Sequence, residues 1–117
     1  MTDTITIEDE TYRIDYDPKI GKVDIAGVMR LNGLQEYAPI SALLSNAVQE
    51  QKTLALDLSR LEFLNSSGIA VLSKFIIEVR NRADIELTLE GSKDIAWQAK
   101  SLPNLKRLMP ALELAYK

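Results

Sequence analysis

The sequence contains neither cysteine nor histidine. Without cysteine there can be no disulfide framework and no thiolate metal site. Without histidine, the Ser-His-Asp and Cys-His catalytic arrangements are impossible. The chain also lacks a G-x-S-x-G nucleophile elbow and a Walker A loop. We therefore expect a protein that is not an enzyme and that has no metal site and no cofactor.

Long apolar runs and a strong excess of one charge are missing as well. No stretch approaches the roughly 20 apolar residues of a membrane span. The first thirty residues contain several acidic side chains and no apolar segment typical of a secretory signal. The net charge of −3 gives no broad basic surface for nucleic acid or an anionic membrane. We expect a cytoplasmic protein that binds neither nucleic acid nor membrane.

The features that are present indicate one small domain covering residues 1–117. Apolar residues make up 46% and charged residues 26% of the chain, which is ordinary for a globular protein with a buried core. Apolar and polar residues alternate as in strands over residues 4–7, 11–16, 22–31, 53–58 and 85–89. Helical spacing is found from residue 39 onward, over 69–79, over 95–100 and again over 103–108. This order predicts an α/β fold, a mixed β-sheet covered by helices.

The segment from residue 53 to residue 79 is the most informative. Asp57 and Ser59 are turn formers, which predicts that the strand over 53–58 ends there. Asn65, Ser66 and Ser67 are residue types preferred at the first position of a helix. An apolar stripe follows at Ile69, Leu72, Phe75, Ile76 and Val79. The two serines are then either an ordinary helix cap or an exposed handle for chemistry, and they lie where α/β sheets usually place their sites.

The same segment resembles the STAS domain of bacterial anti-sigma factor antagonists. The family has an Asp-x-Ser strand end, a short apolar link, and then Asp-Ser-Ser-Gly followed by small and aliphatic residues. The corresponding residues here are Asp57-Leu58-Ser59, then Leu61, Phe63 and Leu64, and then Asn65-Ser66-Ser67-Gly68-Ile69-Ala70-Val71-Leu72. The resemblance is close over residues 53–82 and looser over the rest of the chain. One position departs from the family, because Asn65 replaces the usual aspartate.

The resemblance implies a function for these residues. Ser66 would accept phosphate from a partner serine kinase, and Ser67 would be a cap or a packing residue. Gly68 would let another backbone or a bulky partner approach closely. The implied partner-binding surface consists of Asp57, Ser59, Asn65, Ser66, Ser67, Gly68 and Ile69.

Two functional classes remain open. In the first, the chain is a regulatory protein-binding module whose partner is an anti-sigma factor or switch-protein serine kinase, with a serine phosphatase reversing the mark on Ser66. In the second, it is an unphosphorylated STAS subunit that docks on a larger assembly, such as a lipid-transport ATPase.

Overall fold

One mixed sheet organises the described part of the chain, residues 4–82 and 84–117 of a computed structural model. Its six strands lie in the sheet in the order of the sequence. They are β1 (Ile5–Glu8), β2 (Tyr12–Asp17), β3 (Lys22–Met29), β4 (Thr53–Leu64), β5 (Glu86–Gly91) and β6 (Glu113–Tyr116). The first three strands pair antiparallel, and β3 to β6 pair parallel. The predicted α/β fold with a mixed sheet is confirmed.

The helices follow from the parallel half of the sheet, where each step to the next strand needs a crossover. They are α1 (Gly33–Glu36), α2 (Ala38–Glu50), α3 (Ser66–Arg82) and α4 (Ala96–Leu108). Right-handed crossovers that step in one direction place their helices on the same face of the sheet. The apolar face of β4, formed by Leu54, Leu56 and Leu58, is fully buried there. On the opposite face, Lys22 of β3 pairs with Asp57 of β4 and with Glu90 of β5.

The stripe predicted for α3 packs on this core. Leu72, Phe75, Ile76 and Val79 are buried, whereas Ile69 is half-buried at the edge of the core. The alternation of Leu87 and Leu89 with polar neighbours in β5 also points the two leucines into the core, as the sequence predicts. Burial of these side chains therefore fixes α3 against the centre of the sheet.

Strand β4 is twice as long as the sequence suggested. It does not end at Asp57 and Ser59 but continues to Leu64. The pairing with β3 is irregular between Asp24 and Ala26 and again between Gly27 and Val28, so β4 accommodates extra residues as bulges. Polar turn formers can stay inside a strand when a bulge gives their backbone another conformation. The prediction of a strand end at Asp57 is therefore wrong.

Beyond Asp57, the edge of β4 that faces β5 is hydrogen-bonded by side chains of α4 and not by a strand. Strand β5 pairs with β4 only from Thr53 to Asp57. Beyond that point the side-chain amide of Gln98 donates to the carbonyls of Leu58 and Leu61, and the indole N–H of Trp97 also donates to Leu61 at 2.9 Å. These side chains satisfy backbone groups that an edge strand would expose.

Helix α4 and strand β6 differ from the sequence prediction. The two separate helical turns expected on either side of Pro103 form one continuous helix. Leu102 and Leu105 are buried in the core, and this packing outweighs the N–H that the proline lacks. Strand β6 is an edge strand of four residues, and its apolar and polar residues alternate too little to predict a strand.

We expect Phe75→Ala to lower the free energy of unfolding by on the order of 3–5 kcal/mol, because the ring is buried and its removal leaves a cavity. Urea unfolding measures this loss. Phe63→Ala is the matched control, since the ring of Phe63 is 39% exposed and its loss should cost below ~1 kcal/mol. Equal effects of the two substitutions would show that the core-facing side of α3 is assigned wrongly.

Candidate functional site

Helix α3 begins with a side-chain cap from Asn65. The backbone N–H of Gly68 donates to Oδ1 of Asn65 at 3.0 Å, and the N–H of Ile69 donates to its carbonyl at 3.0 Å. These are the bonds of a helix N-cap residue. The capping role considered for Ser67 is therefore filled by Asn65.

Asn65 also connects three segments of the fold. Its backbone N–H donates to the carbonyl of Met29 at the end of β3, and its Nδ2 donates to the carbonyl of Leu31 at 2.8 Å. The hydroxyl of Tyr37, which precedes α2, donates to its Oδ1 at 2.8 Å. Tyr37 is almost completely buried, and this burial raises the pKa of its hydroxyl, so the group remains a proton donor. The amide thus fixes the start of α3 relative to β3 and α2.

Ser66 and Ser67 follow the cap with free hydroxyls. Ser66 is exposed and Ser67 is half-buried, and neither side chain has a hydrogen-bond partner among residues 4–82 and 84–117. Because Asn65 caps the helix, neither serine hydroxyl is needed for that role. An anion attached to Ser66 would lie at the positive end of a 17-residue helix. The local structure can therefore carry a negative group on Ser66 without losing its cap.

Gly68 faces the protein interior. A Cβ at this position would lie 2.2 Å from Cδ1 of Leu64 and 2.7 Å from the hydroxyl of Tyr37. The absence of a side chain at Gly68 lets Leu64 and Tyr37 pack closely against the helix, and Gly68 itself is buried. The close approach expected at Gly68 is therefore made by side chains of the fold itself, and its contact with a partner stays a prediction. A leucine at this position would displace the core, so it cannot separate binding from folding.

Asp57 and Ser59 lie in the middle of β4, on the order of 20 Å along the strand from the start of α3. Both the backbone N–H and the hydroxyl of Ser59 donate to Oδ1 of Asp57, at 2.9 and 2.6 Å. These bonds satisfy the backbone where the pairing with β3 is irregular. The Asp-x-Ser motif thus stabilises a bulge, and the structure does not bring it together with Ser66.

The second carboxylate oxygen of Asp57 binds two cations. Nζ of Lys117 lies 2.7 Å and Nζ of Lys22 3.5 Å from Oδ2, and both lysines also approach Glu90. Burial alone would raise the pKa of Asp57, but the hydrogen bonds from Lys117 and Ser59 outweigh it and hold that pKa well below its ordinary value. Asp57 is only 3% exposed and belongs to an internal ion network that ties β3, β4 and β5 to the residue after β6. Its role in partner binding stays a prediction.

Sequence analysis missed Tyr37, which donates to Asn65, and Lys22 and Lys117, which pair with Asp57. Each reaches its partner across at least 28 positions of the chain. No local periodicity or motif marks such contacts.

Two further properties concern ligands and membranes. Within the described ranges, no cluster of three or more acidic side chains has the geometry to hold a metal ion. The helices in those ranges are all too short or too polar to cross a bilayer.

We expect Asp57→Asn to lower the free energy of unfolding by on the order of 2 kcal/mol at neutral pH, because the buried partner of Lys117 loses its charge. The folded pKa of Asp57 is depressed, so its contribution is complete above about pH 5 and declines as the pH falls through the unfolded value of about 3.9 toward the folded one. Denaturant unfolding between pH 7 and pH 3 should show the two proteins converging in acid. Asp84→Asn, at an exposed site, is the control. A constant gap across this range would contradict the assignment.

We expect Asn65→Asp to remain folded but to lose about 1–2 kcal/mol of stability. The aspartate keeps an acceptor for Gly68 and Tyr37, but it places an oxygen opposite the Leu31 carbonyl where Asn65 donates. It also puts a negative charge beside a phosphate on Ser66, which should change the rate of phosphorylation or of its reversal.

Asn104→Asp is the matched control, because Asn104 also donates to a backbone carbonyl but is exposed. Thermal melting and phosphorylation rates measure the two effects. Unchanged stability and unchanged rates in Asn65→Asp would refute a special role for this residue.

Four solved structures, of three different proteins, resemble the chain over most of its length. Apo-SiaC from Pseudomonas aeruginosa gives a TM-score of 0.75 with 16% identity, covering 99% of both chains. SiaC in its complex with the diguanylate cyclase SiaD, which it activates, gives a TM-score of 0.72 with 16% identity, covering 96% of this chain and 97% of that one. An anti-sigma factor antagonist from Mycobacterium paratuberculosis gives 0.59 with 18% identity over 94% of this chain and 83% of that one. The phosphorylated form of the Bacillus cell fate determinant SpoIIAA gives 0.53 with 17% identity over 96% and 90%. At these identities the likeness establishes the fold.

A search of curated protein sequences found no match. The family comparison is decisive, because residues 35–99, more than half of the 117 residues, match the STAS domain. This match includes α2, β4, α3 and β5, and therefore both the Asn65 cap and the Asp57 bulge. The chain belongs to the STAS domain family.

Proposed function

We propose that the chain is a regulatory protein-binding module, similar to an anti-sigma factor antagonist, that is switched by reversible phosphorylation of Ser66. A partner serine kinase adds the phosphate and a serine phosphatase removes it. The observation that supports this most is the exposed Ser66 hydroxyl at the start of α3, beside a helix cap that Asn65 supplies independently.

Phosphorylation at this position would leave the domain folded. A phosphate adds about −1.5 to −2 charges at pH 7. The first N–H groups of α3 and the helix dipole stabilise such a charge. The buried contacts of Asn65, Tyr37 and Gly68 lie on the inner side of the helix start and need not move.

The effect of the phosphate would therefore fall on the partner. A partner that covers the exposed turn at Ser66 and Ser67 would have to bury a hydrated dianion. Such burial is costly unless a matching cation is present in the complex. Phosphorylation is thus suited to dissociating a complex that the unmodified protein forms.

Two classes of regulatory partner are consistent with the structural relatives. One relative is an anti-sigma factor antagonist and another was solved in a phosphorylated form, which favours a kinase that acts as an anti-sigma factor or switch protein. SiaC activates a diguanylate cyclase, which favours a nucleotide-cyclase partner for the same surface. In either case we place the protein in the bacterial cytoplasm.

The test is phosphorylation by a co-encoded serine kinase with ATP, followed by tandem mass spectrometry. We expect one phosphate on the wild type and on Ser67→Ala, and none on Ser66→Ala. In calorimetry Ser66→Ala should bind its partner and resist switching, and Ser66→Asp should bind weakly while melting near the wild type. Phosphate on Ser67 would contradict the assignment.

No phosphate at either serine, together with purification of the chain in a stable transporter complex, would instead support the second functional class. In that class the start of α3 is a docking element on a larger assembly such as a lipid-transport ATPase. The two classes therefore give opposite results in the same pair of measurements.

A further inference from the structure

Arg30 is an exposed cation at the edge of the candidate site. It follows the last residue of β3, and its guanidinium carbon lies 4.8 Å from the ring centroid of Phe63. In the described part of the chain it has no carboxylate within ion-pair distance, whereas Arg13 and Arg60 are both paired with aspartates. Arg30 is thus held in place by an aromatic ring while its charge remains available.

The strand register brings Arg30 close to Ser66. Met29 pairs with Leu64, and the N–H of Asn65 donates to the carbonyl of Met29 at 3.2 Å. Arg30 and Ser66 are the residues immediately beyond this contact on each side. Neighbouring strands lie about 4.8 Å apart and a residue advances about 3.3 Å, so an arginine side chain is long enough to cross the gap.

We propose that Arg30 pairs with the phosphate on Ser66 and thereby stabilises the phosphorylated state. This inference rests on the proposed function and names Arg30 as the residue of the chain that binds the phosphate. A guanidinium binds phosphate oxygens through parallel N–H donors, which is stronger and more directional than its contact with an aromatic ring. When the phosphate is added, Arg30 turns from Phe63 toward Ser66. The surface beside α3 then loses a stacked cation as well as gaining a dianion.

The experiment uses the full chain with phosphoserine incorporated at position 66 during translation, so no kinase is required. A ³¹P NMR titration gives the second pKa of the phosphate. Arg30→Gln should raise that pKa by roughly 0.5 pH units relative to the phosphorylated wild type, because the loss of a nearby cation disfavours the dianion. The difference should shrink at 1 M salt, where the screening length is about 3 Å.

Arg107→Gln is the matched control, because Arg107 is an exposed arginine in the last turn of α4. Lys100→Gln tests a rival cation on the exposed face of the same helix. The exposed carboxylates of neighbouring segments, Glu36 on α1 and Glu62 on β4, are present in every variant and cancel in the comparison. Circular dichroism establishes that each phosphorylated variant is folded.

An unchanged phosphate pKa in Arg30→Gln would overturn the proposal, as would a larger shift in Lys100→Gln than in Arg30→Gln. A phosphorylated chain that fails to fold would overturn it as well, because the pairing depends on the contact between β3 and β4. The two pKa outcomes do not depend on whether a kinase modifies Ser66 or on whether the phosphate dissociates a partner. They therefore distinguish failure of this inference from failure of the proposed function.

Discussion

The side-chain amide of Asn65 is the contact on which the candidate site depends. One oxygen accepts from the first turn of α3 and from Tyr37, while the nitrogen donates to the loop after β3. An amide can do both because it is a donor and an acceptor at once. Its bonds hold the end of β3, the start of α2 and the start of α3 in one arrangement. They also free the following serine hydroxyl from a capping role.

A second polar cluster performs a different task in the middle of β4. Asp57 holds the bulge through Ser59 and pairs with Lys22 of β3 and with Lys117, the residue after β6. A nearly buried carboxylate is stable only when it is paired in this way. The two clusters are separated by most of a strand. The STAS motif that runs through both of them is therefore partly a folding element and partly a candidate site.

Much of the fold could be predicted from the sequence because periodicity is a local property. The stripe from Leu72 to Val79 and the alternation in β5 both describe the faces that are buried. The length of β4 could not be read in this way, because Asp57 and Ser59 have the composition of a turn but form a bulge. The continuity of α4 could not be predicted for a similar reason, since the burial of Leu102 and Leu105 outweighs the local effect of Pro103.

The sequence by itself determined the fold class, the position of α3 and the presence of two serines at its start, because these depend on residue order and short-range preference. Only the tertiary structure decided which neighbour caps the helix, that Gly68 faces inward, and that Asp57 is buried. Those outcomes depend on Tyr37, Leu64 and Lys117, which approach through chain folding. A hydrogen bond or a steric contact requires both partners in space, and the linear sequence shows each partner alone.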